Sequence, residues 1–404
     1  MAIDAVEIYI NGLRINRSGI TNKLLEDEIF ISNFGVFRYI PPENNDYKGY
    51  SYQMDIEDSG IYIRYYPDYN NGELRLRLNI PKIMGGTNIC SLFCVNMQEL
   101  FKKISFKVWP ILDLTMAPHL RFWCVSTFEC NTDIIDDKGK IDAIYSVLKK
   151  TSSTPKYYLA KAYDTGGKTR YYVPIRAKLE SSDVVIKVYY KLLQLRECND
   201  NFNIIDLFKE VSIINLKPGQ DVLRIEITKG RDSIYNDFKP VIISQGSSKT
   251  FEESACMTRV GTFEQVFNIN YQLKIIKSAL EGLNLHKRIL TPNALRKLIR
   301  TNSGLSKETM KDYWSIIQHE NINNYHKKKP SDYMKMKCLD YILDSGCNYL
   351  YADTEVEPIR IDDIIKALPE VQQREIATYK ESNIFKDMLF YKSTPQRIYK
   401  GNRY

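Results

Sequence analysis

Glu73-Leu74-Arg75-Leu76-Arg77-Leu78-Asn79-Ile80 alternates polar and apolar residues without a break. A period of two puts Leu74, Leu76 and Leu78 on one side of a strand and the charges on the other, the pattern of a sheet with one buried face. Pro81, Gly85 and Gly86 end the strand, and Leu100, Phe101 and Ile104 then recur at helical spacing between Met97 and Lys107. Val6-Glu7-Ile8-Tyr9-Ile10 shows the same alternation nearer the start. From about Ala117 to Val260 the two periods mix. Strands are expected at 120–129, 157–162, 169–175, 184–191 and 222–229, and helices at 141–148 and 204–208. After the polar stretch Gly246-Ser247-Ser248-Lys249 the pattern is helical, near 263–283, 292–301, 306–318, 331–344, 361–366 and 370–390. The fold class is therefore α+β: a mainly antiparallel sheet with helices, followed by an all-helical C-terminal domain. The expected division is a β-rich region over 1–115, an α+β domain over 116–260 and a helical domain over 261–404.

Composition narrows the function classes. A chain of 404 residues with 44% hydrophobic and 26% charged residues can bury more than one core and is not disordered by default. No stretch reaches the roughly 18–20 apolar residues of a spanning helix. Met1-Ala2-Ile3-Asp4-Ala5-Val6-Glu7 lacks the basic and apolar regions of a signal peptide, so a cytoplasmic location without membrane association is expected. The eight cysteines form no C-x-x-C and only four histidines accompany them, which points to reduced, buried thiols rather than zinc. The net charge of +8 is compatible with a nucleic-acid partner, and 29 tyrosines offer faces on which bases could stack.

Two strands carry residues suited to phosphodiester chemistry. In Val184–Lys191, Lys187, Tyr189 and Lys191 share one face. A tyrosine between two lysines can attack a phosphodiester, because the cations attract the backbone, favour phenolate and neutralise the pentacovalent transition state. The bland alternative is a basic strand face with a snorkelling tyrosine. In Val222–Lys229, Leu223, Ile225 and Ile227 face the core and leave Arg224, Glu226 and Thr228 on the polar side. Glu226 offers a hard oxygen ligand for Mg²⁺ or Mn²⁺, and Glu129, at the end of a third strand, is the second acid that could reach a shared metal. A surface pairing of Arg224 with Glu226 is the plain alternative. No H-x-H, no G-x-x-x-x-G-K-[ST] loop and no nucleophile elbow occurs, which disfavours histidine-pair nickases, P-loop enzymes and serine hydrolases. His326-Lys327-Lys328-Lys329-Pro330 reads as a solvated loop that could touch phosphate.

These strands, in this order, resemble the gene II/X replication initiator family of filamentous phages and related plasmids. The likeness begins at Leu76-Arg77-Leu78-Asn79-Ile80-Pro81-Lys82-Ile83-Met84-Gly85-Gly86-Thr87-Asn88-Ile89. It continues through Ser126-Thr127-Phe128-Glu129, Val188-Tyr189-Tyr190-Lys191 and Leu223-Arg224-Ile225-Glu226. The helical part is similar too, from Pro330-Ser331-Asp332-Tyr333 through Leu343-Asp344-Ser345-Gly346 to Val356-Glu357-Pro358-Ile359-Arg360. The family's Tyr-x-Lys motif singles out Tyr189 as nucleophile, in agreement with the face argument.

The resemblance implies a rolling-circle replication initiator. Tyr189 would attack one strand of supercoiled duplex origin DNA and become joined to the 5′ phosphate, leaving a 3′ hydroxyl for the host polymerase; the strand is later rejoined. Lys187 and Lys191 would position the phosphate, and Glu226 and Glu129 would hold Mg²⁺ or Mn²⁺. Host helicase and polymerase, the duplex origin and the displaced single strand are the implied partners. Arg224 and the basic residues of the helical domain, Arg296, Lys297, Arg300, Lys327, Lys328 and Lys329, with Lys307 and Lys311, are the expected DNA contacts. The alternative is an origin- or single-stranded-DNA-binding protein without catalysis. Thr127, where the family has arginine, and Gln194, where it has an acid, are the features that would fit it.

Overall fold

The computed structural model describes residues 2–12, 29–32, 35–42, 48–56, 59–84, 97–108, 118–150, 157–159, 175–177, 184–192, 216–238, 261–301, 304–321, 331–366, 373–374 and 377. The expected helix at 204–208, almost all of that at 370–390, and Lys327, Lys328 and Lys329 lie outside them.

The protein is α+β. Its strands are β1 (Ala2–Asn11), β2 (Ile29–Ser32), β3 (Gly35–Ile40), β4 (Ser51–Ile56), β5 (Ile61–Tyr66), β6 (Glu73–Asn79), β7 (Cys124–Asp137), β8 (Tyr157–Leu159), β9 (Ile175–Ala177), β10 (Val184–Tyr190) and β11 (Gln220–Gly230). They form one sheet in the order β2-β3-β4-β5-β6-β1-β7-β11-β10-β9-β8. Every pairing is antiparallel. The helices are α1 (Ile80–Met84), α2 (Met97–Val108), α3 (Lys138–Lys150), α4 (Arg231–Phe238), α5 (Phe263–Val266), α6 (Ile269–Gly282), α7 (Pro292–Thr301), α8 (Lys307–Asn321), α9 (Asp332–Asp344) and α10 (Ile361–Lys366).

The first strand holds the sheet together. β1 pairs on one side with β6 and on the other with β7, so the hydrogen bonding runs unbroken across position 115. The period-two pattern of β6 is realised: Leu74, Leu76 and Leu78 are fully buried with Ile8, Ile61 and Ile63. On the same face, α3 and α6 pack against β7 and β11. Tyr190 reaches α3 there, its hydroxyl donating to Asp142 Oδ1 at 2.7 Å. Lys150 at the end of α3 donates to the Tyr351 carbonyl at 3.0 Å, which ties the sheet to the helical part.

Two elements differ from expectation. Residues Leu120–Phe122 form a short 3-10 turn, with His119 accepting from the Arg121 backbone N–H, and β7 then runs on to Asp137. The strand passes 129 because Asp133 pairs with Arg224 opposite it on β11, while Cys130 and Ile134 face the core. After β6 the chain turns at once into α1, whose Lys82 N–H is capped by the Asn79 side chain at 3.0 Å, and Pro81 sits in the first turn, where its missing N–H costs nothing.

Candidate active site

Cross-strand register builds the site. On β10 and β11, Lys187 lies opposite Glu226 and Tyr189 opposite Arg224. On β11 and β7, Glu226 lies opposite Asn131, Arg224 opposite Asp133 and Thr228 opposite Glu129. Directly paired residues share a face. The polar sides of three adjacent strands therefore converge, opposite the face that carries Ile186, Val188, Leu223 and Ile225.

Lys187 Nζ donates to Glu226 Oε1 at 2.5 Å and to Glu129 Oε1 at 3.0 Å, bridging the two carboxylates. The Tyr189 hydroxyl donates to the other oxygen, Glu226 Oε2, at 3.0 Å. Tyr189 is 5% exposed. Burial and then the charge of Glu226 push its pKa up, so the phenol stays protonated at rest. Burial also raises Glu129, and hydrogen bonding to Glu226 and its charge add to this; its pKa is pushed up to about 8 despite the opposing Lys187 ammonium. Glu226 moves the other way. Burial acts against its ionisation, but hydrogen bonds with Glu129, Lys187 and Tyr189 and the charge of Lys187 outweigh it. The pair thus holds one proton, on Glu129. Lys187 is kept cationic by the two carboxylates in spite of partial burial.

Arg224 was expected as a DNA contact, but it is fully buried. Its Nε and Nη2 grip Asp133 Oδ1 and Oδ2 at 2.7 and 2.8 Å, and Nη1 lies 3.9 Å from Asp4 Oδ2. Nor does it pair with Glu226 at the surface; its guanidinium is a buried brace beneath Tyr189. Burial, and next the charge of Arg224, bring the Lys191 pKa down to about 8, against Asp4, Asp133 and Glu226. Lys191 Nζ lies 6.0 Å from the centre of the Tyr189 ring. Burial raises Asp4, with Arg224 opposing. Asp4 and Asp133 are the site residues that reading the sequence missed. Asp133 follows Glu129 by four residues, the same face of any strand continued past 129, so the signal was there.

Glu129 and Glu226 suit a hard divalent cation. They are two carboxylates converging on one positive charge, and Mg²⁺ is commonly held by one or two carboxylates with water and substrate phosphate completing its shell. Among the described residues no group of three or more His, Cys, Asp and Glu side chains gathers around a common point.

The other expected contacts lie far along the chain on α7. Arg296 stacks over the Trp314 ring at 4.4 Å and is half-buried, whereas Lys297 and Arg300 are exposed. Among the described residues Cys124, Cys130, Cys338 and Cys347 are free thiols. No described helix is long and apolar enough to cross a membrane. Compared with models of protein families and with curated protein sequences, the chain matches none.

Proposed function

We propose that the protein nicks one strand of supercoiled origin DNA through a 5′-phosphotyrosine at Tyr189 and so initiates rolling-circle replication. The observation that carries this reading is the hydrogen bond from Tyr189 to Glu226, in a cluster where Lys187 spans Glu226 and Glu129. A phenol becomes a nucleophile by losing its proton to a neighbouring base. Glu226, ionised and already accepting that hydrogen bond, is the base. As the Tyr189 oxygen bonds to phosphorus, the bond to the 3′ oxygen breaks, and that oxygen takes up a proton to become the 3′ hydroxyl. Lys191, with its pKa near 8, is suited to supply the proton. Lys187, released from the carboxylates, is placed to neutralise the phosphoryl oxygens. Glu226 and Glu129, the latter once it has given up its proton, would hold Mg²⁺ or Mn²⁺, which would supply Lewis-acid activation of the phosphate. The covalent intermediate conserves the bond for rejoining.

The order of motifs shared with phage and plasmid initiators supports the same reading. Its setting would be the bacterial cytoplasm, with host helicase and polymerase acting on the opened origin and the displaced single strand. One observation favours the binding-only alternative: Tyr189 is 5% exposed, so attack demands that the polar face open when DNA arrives. Nicking of a supercoiled plasmid carrying the DNA that flanks the gene separates the two. Open circles formed by wild type with Mg²⁺, but not with EDTA and not by Tyr189→Phe, are the expected result. Origin binding with no nicking would make the protein a binder.

A further inference from the structure

The polar face of the sheet continues away from Tyr189, and it is basic. Arg38 lies opposite Gln53, Gln53 opposite Arg64, Arg64 opposite Arg75, and Arg75 opposite Tyr9, in one row across β3, β4, β5, β6 and β1. In the next row Asp55 lies opposite Tyr62, Tyr62 opposite Arg77, and Arg77 opposite Glu7. Glu7 in turn lies opposite Thr127, which shares its side of β7 with Glu129. The arginines and the Tyr189 cluster therefore occupy the same face of one sheet.

Arg64 and Arg75 are directly paired like charges, an arrangement that costs a sheet stability. Arg75 is balanced by Glu73 at 2.6 Å and Glu7 at 2.8 Å. Arg64 donates to Ser51 Oγ at 3.2 Å and lies 4.9 Å from the centre of the Tyr66 ring. Among the described residues no ion pair involves Arg38, Arg64 or Arg77, and Arg38 and Arg77 are exposed. Among the described residues Arg38 and Arg64 have no acidic side chain directly opposite them, while Arg77 faces Glu7, with Asp55 further along its row. The rows keep a small positive excess whose self-repulsion a bound polyanion would remove. Seven strand spacings separate β10 from β3. At roughly 4.8 Å each, less the shortening from sheet twist, that is about 30 Å, close to one turn of duplex DNA.

We propose that this face, through Arg38, Arg64 and Arg77, is the track that holds the phosphate backbone of duplex DNA leading to Tyr189. The inference rests on the nicking reading for its direction and for the choice of DNA. Arginine suits the role because its planar fork meets phosphate oxygens in pairs.

Fluorescence anisotropy with a 30-base-pair duplex tests it, using full-length protein carrying Tyr189→Phe so that binding is read without cleavage. Arg38→Gln/Arg64→Gln/Arg77→Gln should weaken binding at least tenfold at about 0.1 M salt. The slope of log K against log salt should fall by about 2 to 3, roughly 0.9 for each lost phosphate contact. Arg38→Gln/Arg77→Gln alters only exposed side chains, which guards against misfolding, and should reproduce about two-thirds of the change in slope. Duplex affinity and slope unchanged in both variants would overturn the track, as would a stronger loss for RNA of the same length than for DNA. Because no cleavage is read, absence of nicking by the wild type would leave the binding result standing and sink only the Tyr189 reading.

Discussion

At the residue scale the balance among Tyr189, Glu226, Glu129 and Lys187 makes predictions that do not need DNA. Glu129 keeps its proton in the folded protein up to about pH 8, whereas in the unfolded chain it loses it near the ordinary carboxylate value. Between those values the folded state binds the extra proton, so this residue's contribution falls as pH rises and the penalty is complete above about pH 8. Glu129→Gln should therefore raise the melting temperature by a few degrees at pH 8.5 and change it little at pH 4.5; an equal effect at both would contradict the protonated assignment. The buried brace predicts the opposite sign. Asp133→Ala leaves the Arg224 guanidinium buried without its principal partner and should cost about 3–5 kcal/mol in chemical denaturation. Lys191, expected on the same strand face as Tyr189, lies just past the end of β10 and is buried. The face shared by Lys187, Tyr189 and Glu226 was legible in the sequence because period two fixes it. Lys187 as a bridge, and Arg224 as a buried group rather than a surface cation, were not, since both depend on which strands become neighbours.

At the element scale β1 matters most. Its two partners, β6 and β7, come from either side of the expected 115/116 division, and its Asp4 reaches the Arg224 brace. Ile8, fully buried at the centre of that strand, should cost about 2–5 kcal/mol when changed to Ala. An exposed control on the same sheet, Arg77→Ala, should stay within about 0.5 kcal/mol. A small effect for Ile8→Ala would mean that β1 is not the strand joining the two halves. The alternation in Val6–Ile10 and Glu73–Ile80 announced these strands, and helical spacing announced α2, α6, α7 and α8. Strand ends were harder to read. β7 ran past 129 because Asp133, polar in isolation, is satisfied across the sheet by Arg224, which no local pattern states.

At the scale of the whole molecule, the sheet is a platform with two dissimilar faces. Helices α3 and α6 close the apolar one, while the other carries the carboxylates, Tyr189 and the arginine row. The sequence announced an antiparallel sheet followed by helices. It did not announce that strands from both ends of residues 1–230 join in one sheet, because strand order is set by long-range pairing. Nor did it point to the arginines of β3, β5 and β6 as a group, for they come side by side only once β3, β4, β5 and β6 pair in register. The central claim is that Tyr189 is the nucleophile. It is tested most directly by trapping the protein on a nicked origin substrate, digesting both components and locating the nucleotide by mass spectrometry. A nucleotide joined through its 5′ phosphate to the peptide containing Tyr189, and fragmentation placing it on that residue, is the predicted result. An adduct on Tyr190 or elsewhere, or nicking with no adduct at all, would contradict it.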